Sequence, residues 1–228
     1  MTKLVLFSGK INSGKNQVAS YFEEFAGDSC MSDYFAKGLK DGACEDFGAL
    51  AKLLNELSRN IAYYITVAKS KCSDRGVHDD LDSALELTQA LGLKDENFYE
   101  DKTEISRVLL QLYGSEIFRH RVDDEYWVKD FVTRVMSRRS LKPVDFIFCT
   151  DCRYPNEIIS TKDLVDSDVK VFTVRIERPA LARTSAFNRH PSETALDKFR
   201  FDHVIYNEGT LDDLYLKAKE IFNRLKDA

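Results

Sequence analysis

Residues Phe7 to Asn16 read FSGKINSGKN and follow directly on the apolar run Leu4–Phe7. Gly9, Gly14 and Lys15 form the GxxxxGK pattern of a P-loop, in which backbone N–H groups surround a polyphosphate and the lysine reaches its outer oxygens. The next segment has helical spacing, and the N-terminus of a helix adds a partial positive charge. A loop between a strand-like and a helix-like segment favours phosphate binding over an ordinary turn.

The other polar residues of this loop are candidates for the nucleotide and for a metal. Asn12, Ser13, Asn16 and Gln17 belong to the predicted nucleotide site. A P-loop usually has Ser or Thr after the lysine, and its hydroxyl binds Mg²⁺, but this chain has Asn16 there. An amide oxygen suits Mg²⁺ or its water shell, so Asn16 is a predicted metal contact.

The composition is that of an ordinary globular protein. The chain has 228 residues, of which 43% are hydrophobic and 31% are charged, and it can bury a large core. Its net charge of −5 argues against a surface for duplex DNA, so no nucleic-acid partner is expected. A chain of this length is expected to form one folding unit. Because no membrane span or signal peptide is recognised, we expect it in the cytoplasm.

Five cysteines occur, at positions 30, 44, 72, 149 and 152. An odd number fits reduced thiols better than a disulfide framework. Cys149 and Cys152 have the CxxC spacing of redox and zinc elements. We interpret them as structural thiols, since redox pairs lie at a helix start and no further zinc ligands can be placed nearby.

Charged residues follow two of the predicted strands, and ligands of a doubly wound sheet bind beyond the carboxyl ends of its strands. Asp33, Lys37 and Lys40 come after a weak strand over 28–31, and they are predicted to bind substrate or else to be solvated surface charges. Asp151 follows the apolar run 144–150, where a P-loop enzyme holds Mg²⁺ or its water, and Arg153 is two residues further on. A simple turn acid is the alternative for Asp151.

A helix is predicted over 103–118, and its two faces differ in chemistry. Its apolar stripe consists of Ile105, Val108, Leu109 and Leu112. Arg107, Gln111 and Gly114 lie on the other side at i, i+4 and i+7. The guanidinium could bind a phosphate, the amide could contact a base edge, and the glycine, which has no side chain, would leave room for a ring. We therefore predict a substrate-binding face, with a solvated face as the alternative.

Residues 175 to 200 contain six Arg or Lys and three acids, a local charge of +3 in an acidic chain. This reversal predicts a lid over phosphates at about 178–200. Arg183 and Arg189 are its candidate catalytic residues, because arginines that close on a transferring phosphoryl group stabilise its charge and exclude water. A solvated basic surface is the alternative.

Several further elements are predicted from spacing and caps. A long amphipathic helix over 47–68, and loops over 73–102 around a shorter helix near 81–91, indicate an inserted helical region. Asp123 to Glu125 suit the start of another helix. Strands are predicted over 169–176 and 202–206, Asn207 in the turn that follows is a nucleotide candidate, and Thr210 caps a last helix over 211–225.

The order of these motifs resembles the bacteriophage deoxynucleoside monophosphate kinases, a family of P-loop kinases. The motifs are SGKINSGK at 8–15, FAKGLK at 35–40, RVLLQLYGSEIFR at 107–119 followed by DDEYWV, DCRYPNE at 151–157 and DHVIYNEGTLDDL at 202–214. Among these motifs, the block over 107–128 combined with DCRYPNE is the most specific to the family. The family usually has Asp then Thr after the P-loop lysine, and this chain has Asn16 and Gln17.

The resemblance implies a P-loop NTPase-type α/β fold with a doubly wound, mostly parallel sheet, flanking helices, a helical substrate-binding region and a lid. The core is expected at about 1–40, 103–176 and 201–228, with the helical insert at about 46–102. The implied reaction is the phosphorylation of a deoxynucleoside 5′-monophosphate to the diphosphate by ATP and Mg²⁺. Such a reaction supplies precursors of dNTPs. The implied location is the cytoplasm, which is the host cytoplasm if the chain is phage-encoded.

The resemblance also implies residue roles. Gly9, Gly14 and Lys15 would bind the phosphates of ATP. Arg107 and Gln111 would bind the monophosphate substrate, and Arg119 at the end of the same motif is a further substrate candidate. Asp151 and Arg153 would lie at the reacting region. The rivals are another small-molecule kinase, such as a phosphomevalonate kinase, and a nucleotide-binding regulatory protein without transfer activity. The number of subunits stays open, with a homodimer as one option.

Overall fold

The computed structural model describes residues 1–41, 119, 123–179 and 194–228. The chain divides into two compact units, one made of residues 1–35 and 128–228 and the other of residues 36–127. The first unit contains the P-loop sequence and a five-stranded sheet.

The strands of this sheet are all parallel to their neighbours. Their bounds are β1 Thr2–Gly9, β2 Cys30–Asp33, β3 Phe146–Cys149, β4 Val169–Glu177 and β5 His203–Tyr206. They lie in the order β2-β3-β1-β4-β5, which puts β1 at the centre. The continuous apolar run Leu4–Phe7 is typical of a parallel strand that is covered on both faces. All five strands therefore end at the same edge of the sheet.

The described helices begin and end at recognisable signals. Their bounds are α1 Lys15–Ala26, α2 Tyr126–Leu141, α3 Pro155–Leu164 and α4 Leu211–Asp227. α1 ends at Gly27, which has a φ of 57° and lies in a region that favours glycine. α4 begins at Thr210, whose side chain accepts a hydrogen bond from the Asp213 N–H while the Asp213 carboxylate accepts one from the Thr210 N–H.

Two apolar clusters cover the two faces of the sheet. Val5 and Phe7 face α1 and α4, whereas Leu4 and Leu6 face α2 and α3, as the alternation of side chains along a strand requires. Phe22 of α1 is fully buried in the first cluster. Phe131 of α2 is fully buried in the second cluster. The sheet is thus the middle layer of a three-layer α/β arrangement.

The predicted fold class, a doubly wound parallel sheet with a P-loop after its first strand, is confirmed. The helices after the P-loop, after Asp123 and after Thr210 lie where the sequence predicts them. The second strand was predicted over 28–31 and runs instead over Cys30–Asp33, because residues 27–29 form a 3₁₀ turn after α1. α3 was not predicted, although Pro155 in its first turn is a helix-start signal.

Several predictions fall outside the described residues: the helices over 47–68, 81–91 and 103–118, the loops around them and most of the lid. Among the helices that the structure describes, none combines the length and the apolar character needed to cross a bilayer.

The aromatic cluster under α1 gives a stability prediction. The Phe22 ring meets the rings of Phe7, Phe222 and Phe148 edge-on, at centroid distances of 5.0, 5.4 and 5.9 Å. Phe22→Ala should lower the free energy of unfolding by about 3–5 kcal/mol, because it removes buried area and leaves a cavity. Urea denaturation measures this change. Leu216→Ala, at a side chain that is 64% exposed on α4, is the control and should change it by less than about 0.5 kcal/mol; equal effects of the two substitutions would contradict the packing.

Candidate functional site

The loop between β1 and α1 has an unusual backbone. Gly14 is the N-cap of α1 with a φ of 94°, and Asn12 also has a positive φ, of 61°. The Ser13 N–H donates to the Lys10 carbonyl at 3.1 Å, which closes a tight turn inside the loop. Successive backbone groups in such left-handed and right-handed conformations form concave nests for anions, and here the nest leads into the N-terminus of a helix.

Both glycines of the GxxxxGK pattern are sterically required. A Cβ atom on Gly9 would lie 2.5 Å from the Ser13 Oγ and 2.8 Å from the Ile176 carbonyl oxygen. A Cβ atom on Gly14 would lie 2.5 Å from the Asn207 Nδ2. The loop therefore packs tightly against the ends of β4 and β5 on its outer side.

Ser13 is the buried polar residue of the loop. It is 2% exposed, and its Oγ has no hydrogen-bond partner among the described residues. A buried hydroxyl without a partner costs about 1–3 kcal/mol, so a ligand oxygen at this loop would satisfy a group that the described protein atoms do not. The cradle therefore fits a polyphosphate.

Two side chains outside the loop hold its carbonyl groups, and the Asp197 carboxylate holds Lys10, a residue of the loop itself. Asn207 Nδ2 donates to the Ser13 carbonyl at 2.9 Å, and Arg178 Nη1 donates to the Asn12 carbonyl at 3.4 Å. Lys10 Nζ forms an ion pair with Asp197 at 3.0 Å. Of these side chains, the sequence pointed only to Asn207.

Arg175 is a buried cation beneath the loop that sequence reasoning missed. It is 5% exposed, and Nη1 donates to the Ser8 Oγ at 3.0 Å. Nη2 pairs with Asp197 at 3.1 Å and Nε with Glu177 at 2.9 Å. Asp197 thus neutralises a buried charge and also holds Lys10. The signal that could have found it is the arginine inside the otherwise apolar run 171–176, VFTVRI.

Asp151 lies just beyond the end of β3, as predicted. Its Oδ1 accepts a hydrogen bond from the Phe35 N–H at 2.8 Å and from the Cys149 thiol at 3.5 Å. The Cys152 N–H donates to the Phe7 carbonyl at 3.2 Å, which ties this turn to the end of β1. The structure therefore brings the Asp151 turn next to the strand that carries the P-loop.

The pKa of the Cys152 thiol responds to burial and to the charged groups of the candidate site. Burial raises its pKa well above the ordinary value, and the negative charges of Glu157 and Asp151 raise it further. The positive charges of Lys15 and Arg175 act in the opposite direction. The charges of the predicted residues Lys15 and Asp151 therefore act on the same buried thiol with opposite sign.

Glu157 fixes the backbone at Arg153, and sequence reasoning did not single it out. Its carboxylate is buried, with Oε2 accepting hydrogen bonds from the Arg153 N–H at 2.6 Å and from the Tyr154 N–H at 3.0 Å. An acid at this place caps the first turn of α3. The position of Arg153 relative to Asp151 is thereby set by a helix cap.

Asp33 lies at the end of β2, and its carboxylate is buried. Its Oδ1 pairs with Arg134 at 3.0 Å and its Oδ2 with Arg138 at 2.8 Å, so it anchors α2. The Tyr34 N–H donates to Oδ1 at 2.7 Å. The substrate-binding role of Asp33 stays a prediction.

The remaining predicted residues are distributed over both units. Asn16 and Gln17 are exposed in the first turn of α1. Lys37 and Lys40 lie in the helical stretch 36–41 of the second unit, which also contains Arg119. The other candidates lie outside the described residues: Arg107, Gln111, Gly114, Arg183 and Arg189.

The described residues contain no group of three or more His, Cys, Asp or Glu that would hold a metal. Mg²⁺ at a phosphate site is commonly bound by one or two carboxylates together with the phosphates, so the Asp151 carboxylate fits this role without such a group. Cys149 and Cys152 are free buried thiols, as the structural interpretation of the pair expects.

Comparison with known proteins identifies relatives among viral proteins. The sequence profile of the deoxynucleotide monophosphate kinase family matches residues 51–218, well over half of the chain. An uncharacterized protein, ORF77, of Ictalurid herpesvirus 1 (strain Auburn) is 34% identical over 105 residues, which are 46% of this chain and 42% of that protein. The deoxynucleotide monophosphate kinase of Escherichia phage RB69 is 29% identical over 115 residues, which are 50% and 43% of the two chains.

The matched regions thus span less than half the length of either relative. Among solved structures, the crystal structure of TT1252 from Thermus thermophilus aligns with 98% of this chain and 98% of its own, at 17% identity and a TM-score of 0.38.

The contact between Gly14 and Asn207 gives a prediction for the loop. Gly14→Ala should lower the free energy of unfolding by about 1–3 kcal/mol, because alanine is strained at this positive φ and its methyl group meets the Asn207 amide. In an Asn207→Ala background the steric part disappears, so the cost should be smaller by about 0.5 kcal/mol or more. A double-mutant cycle by urea denaturation measures the difference; equal costs in both backgrounds would show that the amide does not crowd Gly14.

Proposed function

We propose, because the chain belongs to the deoxynucleotide monophosphate kinase family, that the protein transfers the γ-phosphoryl group of ATP to the phosphate of a deoxynucleoside 5′-monophosphate. The observation that supports this most is the P-loop cradle, with its positive-φ Gly14 and buried Ser13, next to the Asp151 turn. One element offers donors for phosphates, and the other offers a carboxylate at the same edge of the sheet.

The reaction needs alignment and charge neutralisation more than a covalent nucleophile. An oxygen of the acceptor 5′-phosphate forms a bond to the γ-phosphorus, the bond from this phosphorus to the β,γ-bridging oxygen breaks, and ADP leaves. Backbone N–H groups of the loop would hold the donor phosphates. Lys15, the first residue of α1, would neutralise charge on the outer phosphates, where the positive end of the helix acts in the same sense.

Asp151 is the proposed carboxylate for Mg²⁺, and the exposed Asn16 amide is the proposed contact on the loop side. Mg²⁺, when bound, neutralises charge on the β- and γ-phosphates. The bond from the Phe35 N–H to Oδ1 fixes the orientation of the Asp151 carboxylate, which keeps it ready for the metal or its water.

The acceptor site is proposed from residues of the sequence motifs. Arg107, Gln111, Gly114 and Arg119 form the proposed substrate face, together with Lys37, Lys40 and Asp33. Arg153 would act on the transferring group, and Arg183 and Arg189 are the proposed lid arginines. Guanidinium groups suit this work because they bind phosphate oxygens in a bidentate geometry and stay charged.

Lys15→Met should lower kcat by about 10²–10³-fold, the usual effect of removing a donor from a developing negative charge, while leaving the unfolding free energy nearly unchanged. A coupled ADP-release assay measures turnover. Lys219→Met, at an exposed lysine of α4, removes the same charge away from the loop and should keep full activity. Near-normal turnover of the Lys15 variant would refute the mechanism.

Asp151→Asn should raise the Mg²⁺ concentration for half-maximal activity by about tenfold or more, because the amide keeps an acceptor for the Phe35 N–H but loses the charge that binds the metal. The measurement is a Mg²⁺ titration of activity. Asp163→Asn, at an exposed position on α3, is the matched control. A rise of the same size in the control would point to a general charge effect instead.

A substrate panel separates this function from its rivals. The four dNMPs, a ribonucleoside monophosphate and phosphomevalonate are each tested with ATP for ADP release. We expect turnover with at least one dNMP. Turnover with phosphomevalonate alone would identify a different small-molecule kinase, and tight ATP binding with no product from any acceptor would support a regulatory protein.

A further inference from the structure

Asn207 connects the end of the sheet to the loop. It is the first residue after β5, and its backbone N–H donates to the Glu177 carbonyl at 2.7 Å, so its main chain is held at the end of β4. Its side-chain Nδ2 donates to the Ser13 carbonyl at 2.9 Å. This side chain is half-buried and contacts the loop, which places its amide behind the cradle.

The hydrogen bond to the Ser13 carbonyl sets the direction of the next N–H. The peptide bond between Ser13 and Gly14 is trans, and the C=O and N–H of a trans peptide point in opposite directions. A carbonyl fixed toward Asn207 therefore turns the Gly14 N–H away from Asn207. Glycine allows this peptide plane to rotate easily, so an anchor outside the loop is needed to keep one orientation.

We propose that Asn207 is a positioning residue for phosphate binding: by holding the Ser13 carbonyl, it directs the Gly14 N–H toward the phosphates of the nucleotide. The inference rests on the proposed nucleotide function, and in it Asn207 acts through the loop and not by touching the nucleotide. The packing supports it, because a Cβ atom on Gly14 would lie 2.5 Å from the Asn207 Nδ2, so the amide lies directly against the cap of α1.

The test separates phosphate binding from base binding. Affinities for inorganic tripolyphosphate and for ATP are measured by calorimetry, and the affinity for adenosine by ligand-observed NMR, with wild type, Asn207→Ala and Asn207→Leu. We expect both variants to bind tripolyphosphate and ATP about tenfold more weakly, because the Gly14 N–H is no longer directed at a charged ligand, with unchanged adenosine affinity. Asn207→Leu keeps the approximate size of the side chain without adding a charge, and it decides the question if Asn207→Ala does not fold.

Asn223→Leu, at an exposed asparagine of α4, is the matched control and should bind all three ligands like wild type. Weaker adenosine binding with unchanged tripolyphosphate binding would overturn the proposal in favour of a base contact, and equal losses for both would overturn it in favour of a general structural role. If wild type itself bound neither tripolyphosphate nor ATP, the proposed nucleotide function would fail, and the role of Asn207 with it.

Discussion

The parallel pairing of β1 with β3 on one side and with β4 on the other is the constraint on which the candidate site depends. The register sets Leu6 opposite Cys149 and Gly9 opposite Ile176. Because every strand runs in the same direction, the chain leaves β1, β3, β4 and β5 at one edge. Residues that are 194 positions apart, such as Ser13 and Asn207, therefore meet in one hydrogen bond.

Charge is balanced around the loop by specific partners. Arg175 is buried beneath the loop, where an unpaired cation would be costly, and Asp197 and Glu177 compensate it. Asp197 also accepts Lys10, so one carboxylate limits the repulsion between two cations at the site. The four groups together carry no net charge, so both cations lie next to the proposed phosphate loop without an uncompensated buried charge.

The sequence predicted the parts of the site that follow local rules. The P-loop sequence, the acid after β3 and the cap of α4 each follow a short pattern with a physical reason, and sequence reasoning identified all three. It did not identify Arg175, because most of its partners lie far away in sequence. It did not identify Glu157, because the helix start that this acid caps was overlooked. The second strand was misplaced by two residues, since a 3₁₀ turn at Gly27–Ser29 has no distinctive pattern.

The buried thiols of Cys149 and Cys152 have a consequence for chemical reactivity. Burial and the neighbouring carboxylate of Asp151 raise the pKa of both groups, so both remain protonated at neutral pH. The thiolate is the form that alkylating agents and oxidants attack. These two thiols are therefore unreactive while the protein is folded, and the rate at which they become labelled would report how often this part of the structure opens.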